Sequence, residues 1–139
     1  MTGTLICNYI CSQKAKLGTL PKNGALVSTI VSSEMTKAIA KKYNLAYFDV
    51  LTGFKYIGEK IKEFEQTGDY QYVFGFEESY GCLSGTYARD KDAVVASLLI
   101  CEMAAYYKSR GMSLYDGLME LYDTYGVYLS LIHISEPTR

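Results

Sequence analysis

The chain has 139 residues, 49% of them hydrophobic and 21% charged, with 14 Lys and Arg against 15 Asp and Glu for a net charge of -1. That length suits one domain with a sizeable core, and the near-neutral balance gives no electrostatic reason to expect a nucleic-acid or membrane-surface partner, which leaves a small molecule as the default ligand. No apolar run approaches the roughly 18 residues a membrane helix needs, and the N-terminus lacks the basic start of a signal peptide, so a cytoplasmic protein is expected.

Leu5, Ile6, Tyr9 and Ile10 recur at helical spacing and predict a helix over residues 4–16, with Lys14 and Lys16 in its last turn, where cations suit the helix dipole, and Gly18 as its stop. Turn chemistry in Leu20-Pro21-Lys22-Asn23-Gly24 leads into a buried strand over 25–31. Ser32 or Ser33 can cap the next helix, which runs to about Tyr43 with Met35, Ile39 and Ala40 on its inner face. A second strand over 45–51 ends in the Thr52-Gly53 turn, followed by an amphipathic helix over 55–66 whose buried stripe is Ile57, Ile61 and Phe64. The third strand covers 70–76. A short fourth strand over 83–87 is expected to return antiparallel as a hairpin. The helix over 92–109 is so widely apolar that it is expected to be largely buried, and Ser113 caps a last helix through Tyr125. This alternation predicts a three-layer α/β/α domain with a mixed, mostly parallel four-stranded sheet.

Cys7, Cys11, Cys82 and Cys101 form no convincing disulfide or zinc pattern, since only the first two share a helix face and no histidine lies close in sequence to complete a metal set. Reduced thiols are expected.

The chemistry concentrates where the third strand stops. Phe74-Gly75-Phe76 gives way abruptly to Glu77-Glu78-Ser79-Tyr80-Gly81, which puts polar groups at the carboxyl end of a strand, where open α/β sheets bind ligands. Two acids and a serine, with no nearby Lys or Arg before Arg89, make a loop rich in acceptors and suited to vicinal hydroxyls such as those of a sugar. The competing reading is a hairpin tip whose charges only keep the loop solvated. Phe48-Asp49-Val50 also invites comparison with a signalling receiver domain, but the acidic pair such a domain needs after its first strand is replaced here by Ser32-Ser33.

Three segments in order, Leu51-Thr52-Gly53-Phe54-Lys55-Tyr56-Ile57-Gly58, Gly75-Phe76-Glu77-Glu78-Ser79-Tyr80-Gly81 and Arg89-Asp90-Lys91-Asp92, resemble the α-D-phosphohexomutase superfamily. The resemblance is to the third of four domains in its bacterial phosphoglucomutases and phosphomannomutases and runs from about Thr4 to Tyr128. It implies that Glu77 and Ser79 grip two adjacent ring hydroxyls, that Thr52 sits in a specificity loop beside the hexose, and that Lys91 contacts the phosphosugar. Phe76 stands where the usual loop has glycine. Lys55 reads as a surface lysine of the helix's first turn.

The implied reaction is an isomerase's: glucose 1-phosphate and glucose 6-phosphate interconvert by intramolecular phosphotransfer, with Mg2+ as the metal and glucose 1,6-bisphosphate as activator and intermediate. Phosphoryl transfer between sugar oxygens needs a phosphorylated serine, a divalent cation and a basic loop for the second phosphate. The family carries these on its first, second and fourth domains, and this chain contains none of the three patterns. No catalytic residue or metal ligand is therefore expected here. The implied partners are a hexose phosphate and the remaining domains of a parent enzyme, and the chain alone is expected to be inactive. A stand-alone, non-catalytic sugar-phosphate binding module is the alternative.

After Tyr128 the pattern changes. Leu129-Ser130-Leu131-Ile132-His133-Ile134-Ser135-Glu136-Pro137-Thr138-Arg139 has neither cap nor periodic face and resembles a translated sequencing adapter. The reading is thus a domain over 1–128 in a truncated fragment, with an artefactual tail over 129–139 that removes the chain's one histidine from consideration.

Overall fold

Gly24–Thr29 (β1) is buried at every position and forms the middle of the sheet. The structure, a computed structural model, describes residues 1–128, so the expected foreign tail with His133 lies outside the described residues. β1 pairs in parallel with Ala46–Val50 (β2) on one side and Gln71–Phe76 (β3) on the other. Cys82–Leu83 (β4) adds antiparallel to β3, giving a four-stranded sheet in the order β2-β1-β3-β4. The helices are Thr2–Lys16 (α1), Met35–Lys42 (α2), Phe54–Thr67 (α3), Ala93–Ser109 (α4) and Leu114–Tyr125 (α5).

The two-residue alternation of β1 divides the core in two. Ala25 and Val27 face α3 and pack with Phe54, Ile57, Ile61 and Phe64. Leu26 faces the opposite layer, where α1, α2, α4 and α5 contribute Ile6, Ile10, Ile39, Met103, Tyr107 and Leu121. Helices on both faces of a mixed sheet make the expected three-layer α/β/α domain. The register of β3 shifts between Ala25↔Tyr72 and Leu26↔Phe74, leaving Val73 as an extra residue. This bulge keeps Tyr72 on the α3 side while Val73 and Phe74 both enter the larger core.

Two expectations are corrected. The fourth strand is only Cys82–Leu83, because Gly85 adopts φ 100 and diverts the chain away from the ladder. The diverted segment lies against α3, where a Cβ on Gly58 would stand 2.5 Å from the Arg89 carbonyl oxygen. It returns at Asp92, whose N–H donates to the Cys82 carbonyl at 3.0 Å. Nor is α4 largely buried: Met103 and Tyr107 are, but Val94 is 80% exposed and Leu98 64%. One side of the helix packs on the domain, and the other exposes Val94, Leu98, Cys101 and Ala105 among the polar residues Ser97, Glu102, Lys108 and Ser109.

Local signals explain the helix starts. The Asp92 carboxylate accepts from the N–H groups of Val94 and Val95 at the head of α4, and Ser113 and Asp116 form a reciprocal capping box at the head of α5. Glu34, not a serine, occupies the cap position of α2, although Ser33 Oγ accepts from the Met35 N–H at 3.2 Å. Cys7, Cys11 and Cys82 are buried free thiols, and Cys101 is an exposed one. Among the described residues no helix is long and apolar enough to cross a membrane.

Candidate functional site

Because β1, β2 and β3 run parallel, their carboxyl ends gather the turns at 30–34, 51–53 and 77–81 along one edge of the sheet. The last of these is closed by the Glu77 N–H donating to the Gly81 carbonyl at 2.8 Å. Tyr80 takes φ 72 at its tip, a left-handed conformation unusual for a bulky residue, and its ring is 87% exposed.

The two adjacent carboxylates part company. Glu78 turns back into the fold, where Oε2 accepts from Thr29 Oγ1 at 2.6 Å, and that hydroxyl lies 3.0 Å from Ser32 Oγ. Ser28 Oγ donates to the Phe76 carbonyl at 3.2 Å, so hydroxyls at the end of β1 hold the end of β3. Glu77 is only 9% exposed, yet its carboxylate has no hydrogen-bond partner among the described residues. It lies directly over Gly81, where an added Cβ would stand 2.5 Å from Glu77 Oε1 and 2.8 Å from Lys91 Cδ. The bare Cα of Gly81 thus lets the carboxylate and the lysine stem come together.

The Lys91 amine is 3.3 Å from Asp90 Oδ1 and 6.0 Å from the centroid of the Phe54 ring. The Lys91 backbone N–H and then its amine hold the Asp90 carboxyl below the ordinary carboxylate range. Phe54 opens α3 directly after the Thr52-Gly53 turn, in which Gly53 has φ 123, so Lys91 bridges the β2–α3 turn and the acidic loop. Thr52 and Ser79 are exposed, one on each of these two turns, and neither side chain is hydrogen-bonded within the described residues. Of the four residues singled out from sequence, Glu77 and Lys91 are therefore juxtaposed, while Thr52 and Ser79 occupy the rims.

A cavity of about 140 Å³ opens beside the loop, between the first turn of α1 and α4, lined by Gly3, Ser33, Glu77, Tyr80, Gly81 and Ile100 among others. Phe76 fits beneath the first turn of α1 because Gly3 has no side chain; a Cβ there would stand 2.8 Å from Phe76 Cγ. Sequence reasoning missed Gly81 and the Thr29–Ser32 hydroxyl pair. A polar Ser28-Thr29 ending an otherwise apolar strand was the available signal for the pair, whereas Gly81 looked like any turn glycine.

At the opposite end of the domain Lys16, Lys42 and Arg110 cluster with Tyr43, Tyr106 and Tyr125 near the C-terminal ends of α1, α2 and α4. Cations there satisfy helix dipoles, and Lys16, donating to Tyr106 at 3.0 Å, holds that phenol below its ordinary value. Among the described residues no group of three or more His, Cys, Asp or Glu side chains could hold a metal ion.

A three-layer α/β/α fold whose parallel strands gather their loops along one carboxyl edge places the domain in the doubly covered α/β class. The chain belongs to the phosphoglucomutase/phosphomannomutase family as its α/β/α domain III, which residues 1–125 match. It is 42% identical over 125 residues to the phosphoglucomutases of Staphylococcus aureus strains bovine RF122 / ET3-1 and USA300. Those matches cover 89% of this chain and 21% of each relative, so the chain spans about a fifth of their length. The crystal structure of a putative phosphomannomutase from Thermus thermophilus shares the fold, with a TM-score of 0.67 at 20% identity over 89% of this chain and 26% of the other.

Proposed function

We propose that this domain is the sugar-binding wall of a larger, cytoplasmic phosphoglucomutase that interconverts glucose 1-phosphate and glucose 6-phosphate. The observation that carries the reading is the Glu77 carboxylate, 9% exposed and without a protein donor among the described residues. An ionised carboxylate offers about four lone-pair sites, and none of those of Glu77 is taken by a protein donor among the described residues, so hydroxyl donors from a ligand are a natural complement. Glu77 and Ser79 take two adjacent ring hydroxyls in this reading, Lys91 donates to a hydroxyl or phosphate oxygen, and Thr52 borders the hexose from the facing turn.

The phosphoryl carrier, the magnesium site and the second phosphate site lie in other parts of the parent enzyme.

The test is direct. The full-length parent, given glucose 1-phosphate, glucose 1,6-bisphosphate and magnesium, should form glucose 6-phosphate, while residues 1–128 alone should not exceed a buffer blank. A parent without turnover, or a fragment with it, would overturn the proposal.

A further inference from the structure

We infer that Thr29 is a positioning residue: acting through Glu78, it fixes the stretch of loop that presents the Glu77 carboxylate. The inference deepens the function proposed above and rests on it for the identity of the ligand. Glu78 follows Glu77 directly, and its Oε2 accepts from Thr29 Oγ1 at 2.6 Å. Thr29 is 1% exposed, and the Ser32 hydroxyl that lies 3.0 Å from it is buried as well. A hydroxyl carries one proton, so the proton that Thr29 gives to Glu78 leaves it only an acceptor toward Ser32. The donors therefore run in series from Ser32 to Thr29 to Glu78, and each bond polarises the next.

Glu77 is bracketed by backbone and side-chain ties. Ser28 Oγ donates to the Phe76 carbonyl at 3.2 Å, the Glu77 N–H donates to the Gly81 carbonyl at 2.8 Å, and Thr29 holds Glu78. The chain is thus tied before, at and after the residue whose own carboxylate has no donor among the described residues.

The loop needs that restraint. Adjacent carboxylates repel one another, and Tyr80 holds φ 72, a conformation for a bulky residue that persists only where the surroundings enforce it. A binding group displaced by about 1 Å loses much of its effect, so a buried hydroxyl that touches no ligand governs how well the loop holds one.

The experiment is a double-mutant cycle in the full-length enzyme, with kcat/KM measured at a temperature where denaturation curves show each variant folded. Thr29→Val keeps the shape, removes the donor and should lower kcat/KM about tenfold, and Thr29→Ser, which keeps the hydroxyl, should recover most of that loss. In a Glu77→Ala background Thr29→Val should cost less than about twofold more, because the group it positions is gone. Should Thr29→Val fail to fold, Glu78→Ala breaks the same contact from its half-buried side and carries the same expectations, with Glu78→Gln, which retains an acceptor, as the conservative control. Full activity in the variant assayed overturns the inference. So does a loss that multiplies with that of Glu77→Ala, the mark of a general effect on the fold. A Glu77→Ala enzyme with undiminished activity overturns the sugar-binding reading itself and leaves Thr29 nothing to position, so the two failures are told apart within one set of variants.

Discussion

Glu78 and Thr29 tie the carboxyl end of β3 to that of β1: the hydroxyl donates to the carboxylate at 2.6 Å, and Thr29 is 1% exposed. The contact commits one acid of the acidic pair to the fold, while the carboxylate of its neighbour, Glu77, has no donor among the described residues.

Replacing Thr29 with Val keeps its shape and removes the donor. A hydrogen bond to a charged group contributes about 1.5–3 kcal/mol, so Thr29→Val should lower stability by roughly that amount. Denaturant midpoints of the two proteins check it, and an unchanged midpoint would show the contact to be incidental.

Glu77→Ala in the parent enzyme removes the free carboxylate and should lower kcat/KM roughly 10- to 150-fold, the equivalent of about 1.5–3 kcal/mol. In the proposed function one loop holds the sugar in both orientations of the bisphosphate, so the loss should appear with glucose 1-phosphate and with glucose 6-phosphate. Ser79→Ala removes a neutral partner and should cost less. An unaffected Glu77→Ala enzyme would reduce the loop to a solvated hairpin tip.

Two glycine substitutions should separate site from scaffold. Gly81→Ala would bring a methyl group against the ends of two flexible side chains, Glu77 and Lys91. They can swing aside, so stability should change by less than about 1 kcal/mol while kcat/KM falls with the displaced carboxylate. Gly58→Ala instead meets the Arg89 backbone carbonyl, which cannot move alone, and should cost about 1–3 kcal/mol. Paired melting and kinetic measurements decide; a destabilised Gly81→Ala with full activity would contradict the site geometry.

The helix caps predict the acid limb of stability. The Val95 N–H, the Tyr87 hydroxyl and the Val94 N–H hold the Asp92 carboxyl below its ordinary value, and the Ser113 N–H and hydroxyl do the same for Asp116. A folded-state value below the unfolded one contributes stability that is fully present above the ordinary carboxylate range, near about pH 4, and is lost as pH falls through the depressed values. Stability of the wild type should therefore fall below about pH 4 more steeply than that of the double variant Asp92→Asn, Asp116→Asn. Urea midpoints from pH 6 to pH 3 measure both slopes, and parallel curves would refute the assignment.

Much of this domain was legible in the sequence because its signals are local. The helical spacing of Ile57, Ile61 and Phe64, the β-prone run of β1 and the cap at Ser113 each act within a few residues, and each element formed close to where those signals placed it. The acidic loop, too, was visible as an abrupt change of chemistry at a strand's end. Tertiary structure decided what adjacent residues do. Glu77 and Glu78 are identical in type and neighbours in sequence, yet only the approach of Thr29, 49 residues from Glu78, makes one structural and leaves the other free. Gly81 acquired its role from Lys91 and Glu77 crossing above it, a close approach that turn chemistry does not encode. The apolar composition of α4 correctly marked a helix but not its surroundings: composition does not say which face the other elements of the domain reach, and here they reach Met103 and Tyr107 but not Val94 and Leu98.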